Sequence, residues 1–355
     1  MAKIRVGLLG ATGAVGQRFL QLLADHPQFV VTALAASDRS QGKPYAEACA
    51  WRLPGEAPGP VRGMVVRPPE PPLDCDVVFS SLPTDVAGPV ETRFARAGYP
   101  VISNSAAHRM DEQVPLLIPE VNPDHLAVLD ACRQADGGCI VTNPNCSTVM
   151  ISLALAPLVA RFGVEAAIVT TLQALSGAGY PGVASLDITD NVLPFIANEE
   201  EKIERETRKI LGHVNAGRVE PAPLAVSAQC HRVNVVDGHM AAVRVKLRRP
   251  AEPAELREAF ASFTALPQQL RLPTAPERPI LVRDEPDRPQ PRLDRDAGRG
   301  MSLTVGRIAR DSVMGHRFVV LSHNTIRGAA GAAILNAELL LAKGYLRERP
   351  TEGRG

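Results

Sequence analysis

Ile4-Arg5-Val6-Gly7-Leu8-Leu9 is a buried-strand pattern, and Gly10-Ala11-Thr12-Gly13-Ala14-Val15-Gly16 follows it directly. A helical apolar run through Phe19, Leu20, Leu22 and Leu23 comes next. Strand, glycine-rich turn and helix in this order commit the N-terminal part to a parallel α/β unit. Glycines let the backbone approach a pyrophosphate, and the helix N-terminus supplies N–H donors to it. The spacing is GxxGxxG, a variant of the usual dinucleotide fingerprint. A tight strand–helix connection without a ligand is the competing reading.

The next strand is Val30-Val31-Thr32-Ala33-Leu34-Ala35-Ala36, and it ends in Ser37-Asp38-Arg39-Ser40-Gln41-Gly42-Lys43. An NAD site usually has an acidic residue here for the ribose hydroxyls. Two hydroxyls and two cations instead suit a ribose 2′-phosphate, so NADP is the expected cofactor. Asp38 argues the other way, and the preference reverses if it points inward with Arg39 outward. Asp76-Val77-Val78-Phe79-Ser80-Ser81 reads as a further strand, Thr84 to Ala97 as its crossover helix, and Pro100-Val101-Ile102-Ser103 as the strand after that. Such alternation gives a parallel sheet covered on both faces. Arg109 follows the last of these strands, where open α/β sheets place ligands. It is either an anion clamp or a solvated surface arginine.

At 355 residues the chain is long enough for about two domains. A net charge of +1 gives no field that favours nucleic acid or an anionic membrane. No stretch approaches the roughly 20 apolar residues of a membrane span, and no signal peptide is expected before a strand that begins at Ile4. Cys49, Cys75, Cys132, Cys139, Cys146 and Cys230 are scattered without a CxxC pair, so neither a zinc site nor a disulfide framework is indicated. A cytoplasmic protein with reduced thiols is expected.

Gly138-Cys139-Ile140-Val141 reads as a short strand that must end near Asn143, because Pro144 biases it towards an extended conformation. Asn145, Ser147 and Thr148 are helix-capping types, and an apolar run from Val149 follows. Cys146 thus falls on a first helical turn, where N–H groups and the dipole favour thiolate over thiol. It is a nucleophile, or a small buried apolar residue, the usual fate of a free cysteine.

Beyond Cys146 the pattern changes, which puts a domain boundary at 145/146. Ala167 to Leu175 reads as a strand, with Gln173 near its end and a Ser176-Gly177-Ala178-Gly179 turn after it. Asn198 to Gly212 is a strong charged helix, by default a solvated face. Asp237-Gly238 lies between two alternating runs and signals a hairpin or tight bend. Arg232, His231 and His239 flank it as candidate clamp and bases. Residues 273–298 suggest a long surface excursion. Late strands follow at 301–308 and 317–322, then a small-residue helix from Asn324 to Leu340. The expected second domain is α+β.

Taken together, GLLGATGAVGQRF, SNSAAHRM, PNCST, QALSGAGYPG, NEEEKIERETRKILG, HRVNVVDGH, QPRLDRDAGRGMSLTVGRI and HNTIRGAAGAAILNAELL closely resemble the aspartate-β-semialdehyde dehydrogenases, in particular their archaeal and fungal branch. The resemblance runs from Lys3 to about Leu341. It implies an α/β fold with a Rossmann-type NADP-binding domain (1–145 plus 324–355) and an α+β catalytic and dimerisation domain (146–323), assembled as a homodimer or homotetramer. It implies NADPH-dependent reductive dephosphorylation of L-4-aspartyl phosphate to L-aspartate 4-semialdehyde, on the way to lysine, threonine and methionine. Under the resemblance Cys146 is the nucleophile, His239 the acid/base and Gln173 the residue orienting the acyl group. Arg109 and Lys202 meet the phosphate, Arg232 the α-carboxylate and Glu199 the ammonium group. Gly10, Thr12, Gly13, Ala14, Val15, Ser37, Arg39, Ser40, Ser80, Ser176, Gly177 and Asn324 fall at the cofactor; no metal is implied. The nearest rival is malonyl-CoA reductase, which resembles the same branch. N-acetyl-glutamyl-phosphate reductase fits the E-E-x-K and GAAGA stretches less well, and a non-catalytic NADP-binding protein is the remaining alternative.

Overall fold

The structure is a computed structural model that describes residues 2–132 and 138–349. Its first sheet is built from β1 (Ile4–Leu9), β2 (Phe29–Ala35), β3 (Val77–Ser80), β4 (Pro100–Ser103) and β5 (Cys139–Thr142). All pair in parallel in the order β2-β1-β3-β4-β5. Val6, Leu8, Val77, Phe79, Val101 and Ile102 are fully buried, as strands covered on both faces must be. Beyond β2, Arg67 makes one parallel bridge to Ala35 and so stands in for a sixth strand. The chain reverses its direction across the sheet between β1 and β3. The crevice at that reversal, outside the strand C-termini, is where such sheets bind ligands.

The second sheet contains β6 (Val164–Gln173), then, after a small hairpin of β7 (His213–Asn215) and β8 (Arg218–Glu220), β9 (Ala225–Arg232), β10 (His239–Leu247), β11 (Ile280–Val282), β12 (Leu303–Asp311) and β13 (Gly315–Ser322). Its order is β11-β12-β13-β10-β6-β9, antiparallel in the middle and parallel at both edges. β6 lies between β9 and β10, so Asp237-Gly238 makes a tight bend rather than a hairpin. Gly238 takes it at φ +103°, a region that favours glycine.

The helix Cys146–Phe162 lies under this sheet. Met150, Leu153, Ala154 and Leu158 share one core with Val169, Val243 and Val320. The excursion at 273–298 carries the short strand β11 and a turn of helix at Pro291–Asp294, whose Asp294 carboxylate holds Arg288 and the Gln290 N–H. After β13 the chain returns to the first domain. The expected continuous helix from 324 is instead a wide π-turn at Ile326–Ala330 followed by the helix Gly331–Ala342. The widening carries Gly328 directly past Cys146. Ile334, Leu335, Leu339 and Leu340 then complete the core that Val6, Leu8 and Phe79 begin.

Candidate active site

One cleft of about 550 Å³ opens where the strand reversal of the first sheet faces the start of the second domain. Gly13, Ala14, Val15, Arg109, Cys146, Ser176, Gly177 and Asn324 all line it.

Cys146 is the first residue of its helix. The helix starts there because the Asn145 side chain caps it, its Oδ1 accepting from the Ser147 and Thr148 N–H groups at 2.9 and 3.2 Å. The sulfur is partly accessible and lies 3.2 Å from His239 Nε2. His239 opens β10, and its Nδ1 accepts from the Ala174 N–H at 3.0 Å. A ring that accepts at Nδ1 carries its neutral-state proton on Nε2, so the imidazole aims an N–H at the sulfur. The Ala174 carbonyl accepts from Arg232 Nη1 at 2.8 Å. A single peptide after Gln173 therefore orients both Arg232 and His239. Gly177 closes over them: a Cβ there would come within 2.8 Å of Arg232 Nη1 and 3.0 Å of His239 Nε2.

The charge state differs from the one the helix position suggests. Burial, with Glu199 adding to it, pushes the Cys146 thiol up to about 12, against the opposing pull of Arg109 and Arg232. Burial, reinforced by Arg232 and His323, pushes His239 down to about 3. The free site thus holds a neutral thiol beside a neutral imidazole. Asn145 caps the Ser147 and Thr148 N–H groups, and although the Ser147 N–H still draws the thiol down, burial outweighs it.

Two further shells of polar contacts converge on Asn145. Its Nδ2 donates to Glu199 Oε1 at 2.9 Å, and its backbone N–H donates to Glu206 Oε2 at 2.7 Å. The other Glu206 oxygen accepts from Arg109 Nη1 at 2.9 Å, while Arg109 Nη2 donates to the Asn104 carbonyl at 2.7 Å. Arg109 is therefore buried and fixed, not a surface arginine. Lys202 reaches towards Glu199, 3.9 Å away, and keeps its end in the solvent. Gln173 is buried at the end of β6, its amide donating to Thr171 Oγ1 at 3.3 Å.

The glycine-rich turn suits a dinucleotide on three counts. Gly10 sits at φ +77°, and a Cβ there would strike the Ser81 carbonyl at 2.8 Å. A Cβ on Gly16 would lie 2.3 Å from the Gly10 carbonyl, so the turn closes tightly on its helix. The helix Ala14–Leu23 has no side-chain cap, which leaves its first N–H groups for an anion. At the end of β2, Ser37, Asp38 and Arg39 are exposed and Ser40 is buried, its N–H donating to the Ser37 carbonyl. The Asp38 carboxylate accepts from the Gln41 side chain at 2.9 Å. Asn324 accepts from the Gly238 N–H and donates to Ser176 Oγ, at 2.9 and 2.8 Å, tying the Ser176–Gly179 turn to the bend before His239. Ser80 is the exception among the positions expected at the cofactor. It is wholly buried, and Ser81, Leu82 and Pro83 form the cleft wall at that level.

Glu206, Ala174 and Gly328 were not legible as site residues. Glu206 had a signal: Glu199, Ile203, Glu206 and Ile210 fall on one helical face, so the acids alternate with buried isoleucines. Ala174 acts only through its backbone. Gly328 acts through its missing side chain, since a Cβ there would lie 2.6 Å from that of Cys146.

Residues 5–129 match the family "Semialdehyde dehydrogenase, NAD binding domain", and residues 155–327 match "Semialdehyde dehydrogenase, dimerisation domain". The chain is 54% identical to the aspartate-semialdehyde dehydrogenase of Archaeoglobus fulgidus, covering 95% of this chain and 97% of that one. It is 43% identical to a malonyl CoA reductase (NADP) of Metallosphaera sedula, covering 98% and 99%. Among solved structures, the aspartate semialdehyde dehydrogenase of Candida albicans with NADP superposes with a TM-score of 0.91 at 44% identity, over 97% of this chain and 100% of that one.

Proposed function

The chain belongs to the semialdehyde dehydrogenase family, and from that premise we propose that it catalyses the NADPH-dependent reductive dephosphorylation of L-4-aspartyl phosphate to L-aspartate 4-semialdehyde and phosphate. The observation that carries this reading is the Cys146–His239 contact of 3.2 Å, set at a cleft shared by a glycine-rich turn and the buried Arg109, with the buried Arg232 next to Gly177. Similarity to relatives named aspartate-semialdehyde dehydrogenase, one of them solved with NADP, supports the choice of substrate and cofactor.

In this reading the Cys146 sulfur attacks the acyl carbon as phosphate leaves, giving a thioester, and the thiol proton departs with the phosphate as hydrogenphosphate. Arg109 and Lys202 hold the departing phosphate, Arg232 the α-carboxylate and Glu199 the ammonium group. Gln173 orients the acyl oxygen. The His239 Nε2–H stabilises the thiolate and then the oxyanion that forms on reduction. A proton-accepting role for His239 requires Nδ1 to give up the Ala174 N–H; the donor role does not. NADPH supplies the hydride when bound. Thr12 to Val15 would hold its pyrophosphate, Ser37, Arg39 and Ser40 its 2′-phosphate, and Ser176, Gly177 and Asn324 would flank its nicotinamide. We assign residues 1–145 with 324–355 to the cofactor domain and 146–323 to the catalytic one.

The chain self-associates, as a homodimer or homotetramer, through the second domain. Tyr180, Leu186, Phe195 and Val236 are each more than 60% exposed there, an apolar surface that a monomer would leave in water. A cytoplasmic location fits the unpaired Cys49, Cys75, Cys146 and Cys230. Among the described residues no helix is long and apolar enough to cross a membrane. The deciding assay offers purified protein L-aspartate semialdehyde with NADP and phosphate, and malonyl-CoA with NADPH. Brisk turnover of malonyl-CoA with none of the semialdehyde transfers the assignment to a CoA-thioester reductase.

A further inference from the structure

We propose that Glu206 is a positioning residue that fixes the anion subsite at Arg109 relative to the Cys146 sulfur. The inference rests on the functional reading above and adds a residue to it.

Glu206 is 2% exposed and uses its two oxygens in two directions. Oε1 accepts from Arg109 Nη1 at 2.9 Å, and Oε2 accepts from the backbone N–H of Asn145 at 2.7 Å. Arg109 stands on the loop after β4. Asn145 is the cap of the helix that begins with the nucleophile. These two segments come from neighbouring parallel strands whose register ends at Ser103 and Thr142. Just beyond it Asn143 donates from its N–H to the Ser103 carbonyl at 2.7 Å and from Nδ2 to Asn104 Oδ1 at 3.0 Å, and further out the Glu206 carboxylate bridges the two segments. Each Glu206 bond is charge-assisted or made to an otherwise unpaired cap N–H, the kinds that hold geometry most firmly. With Nη1 given to Glu206 and Nη2 to the Asn104 carbonyl, the guanidinium has one orientation. Each terminal nitrogen keeps a second N–H for a ligand.

The same helix pins the Arg109 loop a second time. One turn after Glu206, Lys209 Nζ donates to the carbonyls of Arg109, Asp111 and Val114 at 2.8, 2.8 and 2.9 Å. About two turns before it, Glu199 holds the Asn145 side chain. The helix Glu199–Ile210 is therefore a template with the nucleophile's cap on one side and the anion subsite on the other. A phosphate seated on Arg109 is thereby held at a set distance from the sulfur that must displace it.

Glu206→Gln tests this in the full-length protein. An amide cannot accept from Arg109 and Asn145 together, so one end is released whichever way it turns. Inorganic phosphate is titrated as a protectant of Cys146 against iodoacetamide, a measurement that needs no turnover. The KM values for phosphate, L-aspartate semialdehyde and NADP are measured beside it. The expected result is that half-protection needs about tenfold more phosphate, with the KM for phosphate rising in parallel and that for NADP within about twofold of wild type. Half-protection within about twofold of wild type overturns the proposal, as does an equal rise in all three KM values, which marks general damage. If Glu206→Gln does not fold, Glu206→Asp, too short to span both donors, is read by the same two criteria. Should the wild type fail to turn over the semialdehyde, the functional reading falls, and the protection titration still decides the role of Glu206.

Discussion

Gly328→Ala is the sharpest perturbation this site offers. A Cβ at position 328 would lie 2.6 Å from the Cys146 Cβ, 3.0 Å from its Cα and 3.3 Å from its carbonyl oxygen. Carbon atoms in contact sit ~3.5–4.0 Å apart, so about 1 Å must be absorbed. None of the atoms met is the free end of a flexible side chain. On one side the wide turn is anchored by the Gly328 N–H to the His323 carbonyl and by the Arg327–Glu120 pair. On the other, Cys146 is held by the Asn145 cap. The strain therefore reaches the sulfur and its 3.2 Å contact with His239. Overpacking of this kind costs ~1–3 kcal/mol of stability. A 1 Å misplacement of a reacting group costs about 10²-fold in rate, which is ~2.7 kcal/mol of activation free energy. The variant should stay folded, bind NADP with a KM within about twofold of wild type, and lose about 10²-fold in kcat for semialdehyde oxidation. The assay is NADPH formation by purified variant and wild type at saturating phosphate. A kcat within about threefold of wild type would refute the argument that Gly328 sets the position of the nucleophile.

Three further outcomes follow from the charges. His239 is held near 3 in the fold and returns to about 6.5 when unfolded, so its contribution to stability is present above about 6.5 and is lost as the pH falls towards 3. His239→Asn should therefore flatten the acid limb of a urea-midpoint profile between about pH 7 and 4; an unchanged limb contradicts the buried neutral ring. With the Cys146 thiol pushed up to about 12, iodoacetamide labelling of the free enzyme at that residue should climb about tenfold per pH unit from about pH 7 to 9. A plateau already reached at neutral pH would show a resident thiolate. Glu120→Ala strands Arg327, both partners being fully buried and paired through two bonds of 2.7 Å, and should cost ~3–5 kcal/mol in urea unfolding; a loss below ~1 kcal/mol would show the pair is not dry.

Local patterns carried the first sheet. Runs such as Val77-Val78-Phe79 and Pro100-Val101-Ile102 have no alternative to buried parallel strands, and the Gly10–Gly16 turn fixes where the crevice opens. The second sheet was legible as strands but not as an order. Nothing in the bend at Asp237-Gly238 says that β6, some 60 residues earlier, will insert between β9 and β10. The same limit applies to the site. Cys146 and its cap are neighbours in sequence and could be read together, whereas Glu206 reaches Asn145 and Arg109 across separations of 61 and 97 residues. Helical periodicity put Glu206 on the same face as Ile203 and Ile210, but no rule of spacing names its partners. Gly328 was hidden for a different reason: its role is the space it leaves empty.

The state of Cys146 shows how two sound local rules can oppose each other. A cysteine at a helix start should be acidified by unpaired N–H groups, and an asparagine before it should cap those same groups. Both rules draw on the same donors, and Asn145 takes the Ser147 and Thr148 N–H groups at 2.9 and 3.2 Å. Burial and Glu199 raise the thiol, and they outweigh Arg109, Arg232 and the Ser147 N–H, which lower it. In the proposed reaction that balance belongs to the substrate as much as to the protein. An ammonium group paired with Glu199 cancels the largest nearby negative charge acting on the sulfur. A carboxylate on Arg232 and a phosphate on Arg109 act in the opposite sense, so the thiol proton leaves with the departing phosphate as the sulfur attacks the acyl carbon, not before it. The Nε2–H of His239 is already aimed at the sulfur and needs no change of its own to receive that charge. A site arranged this way keeps its nucleophile protonated in the free protein and gives up that proton only as the acyl bond is attacked.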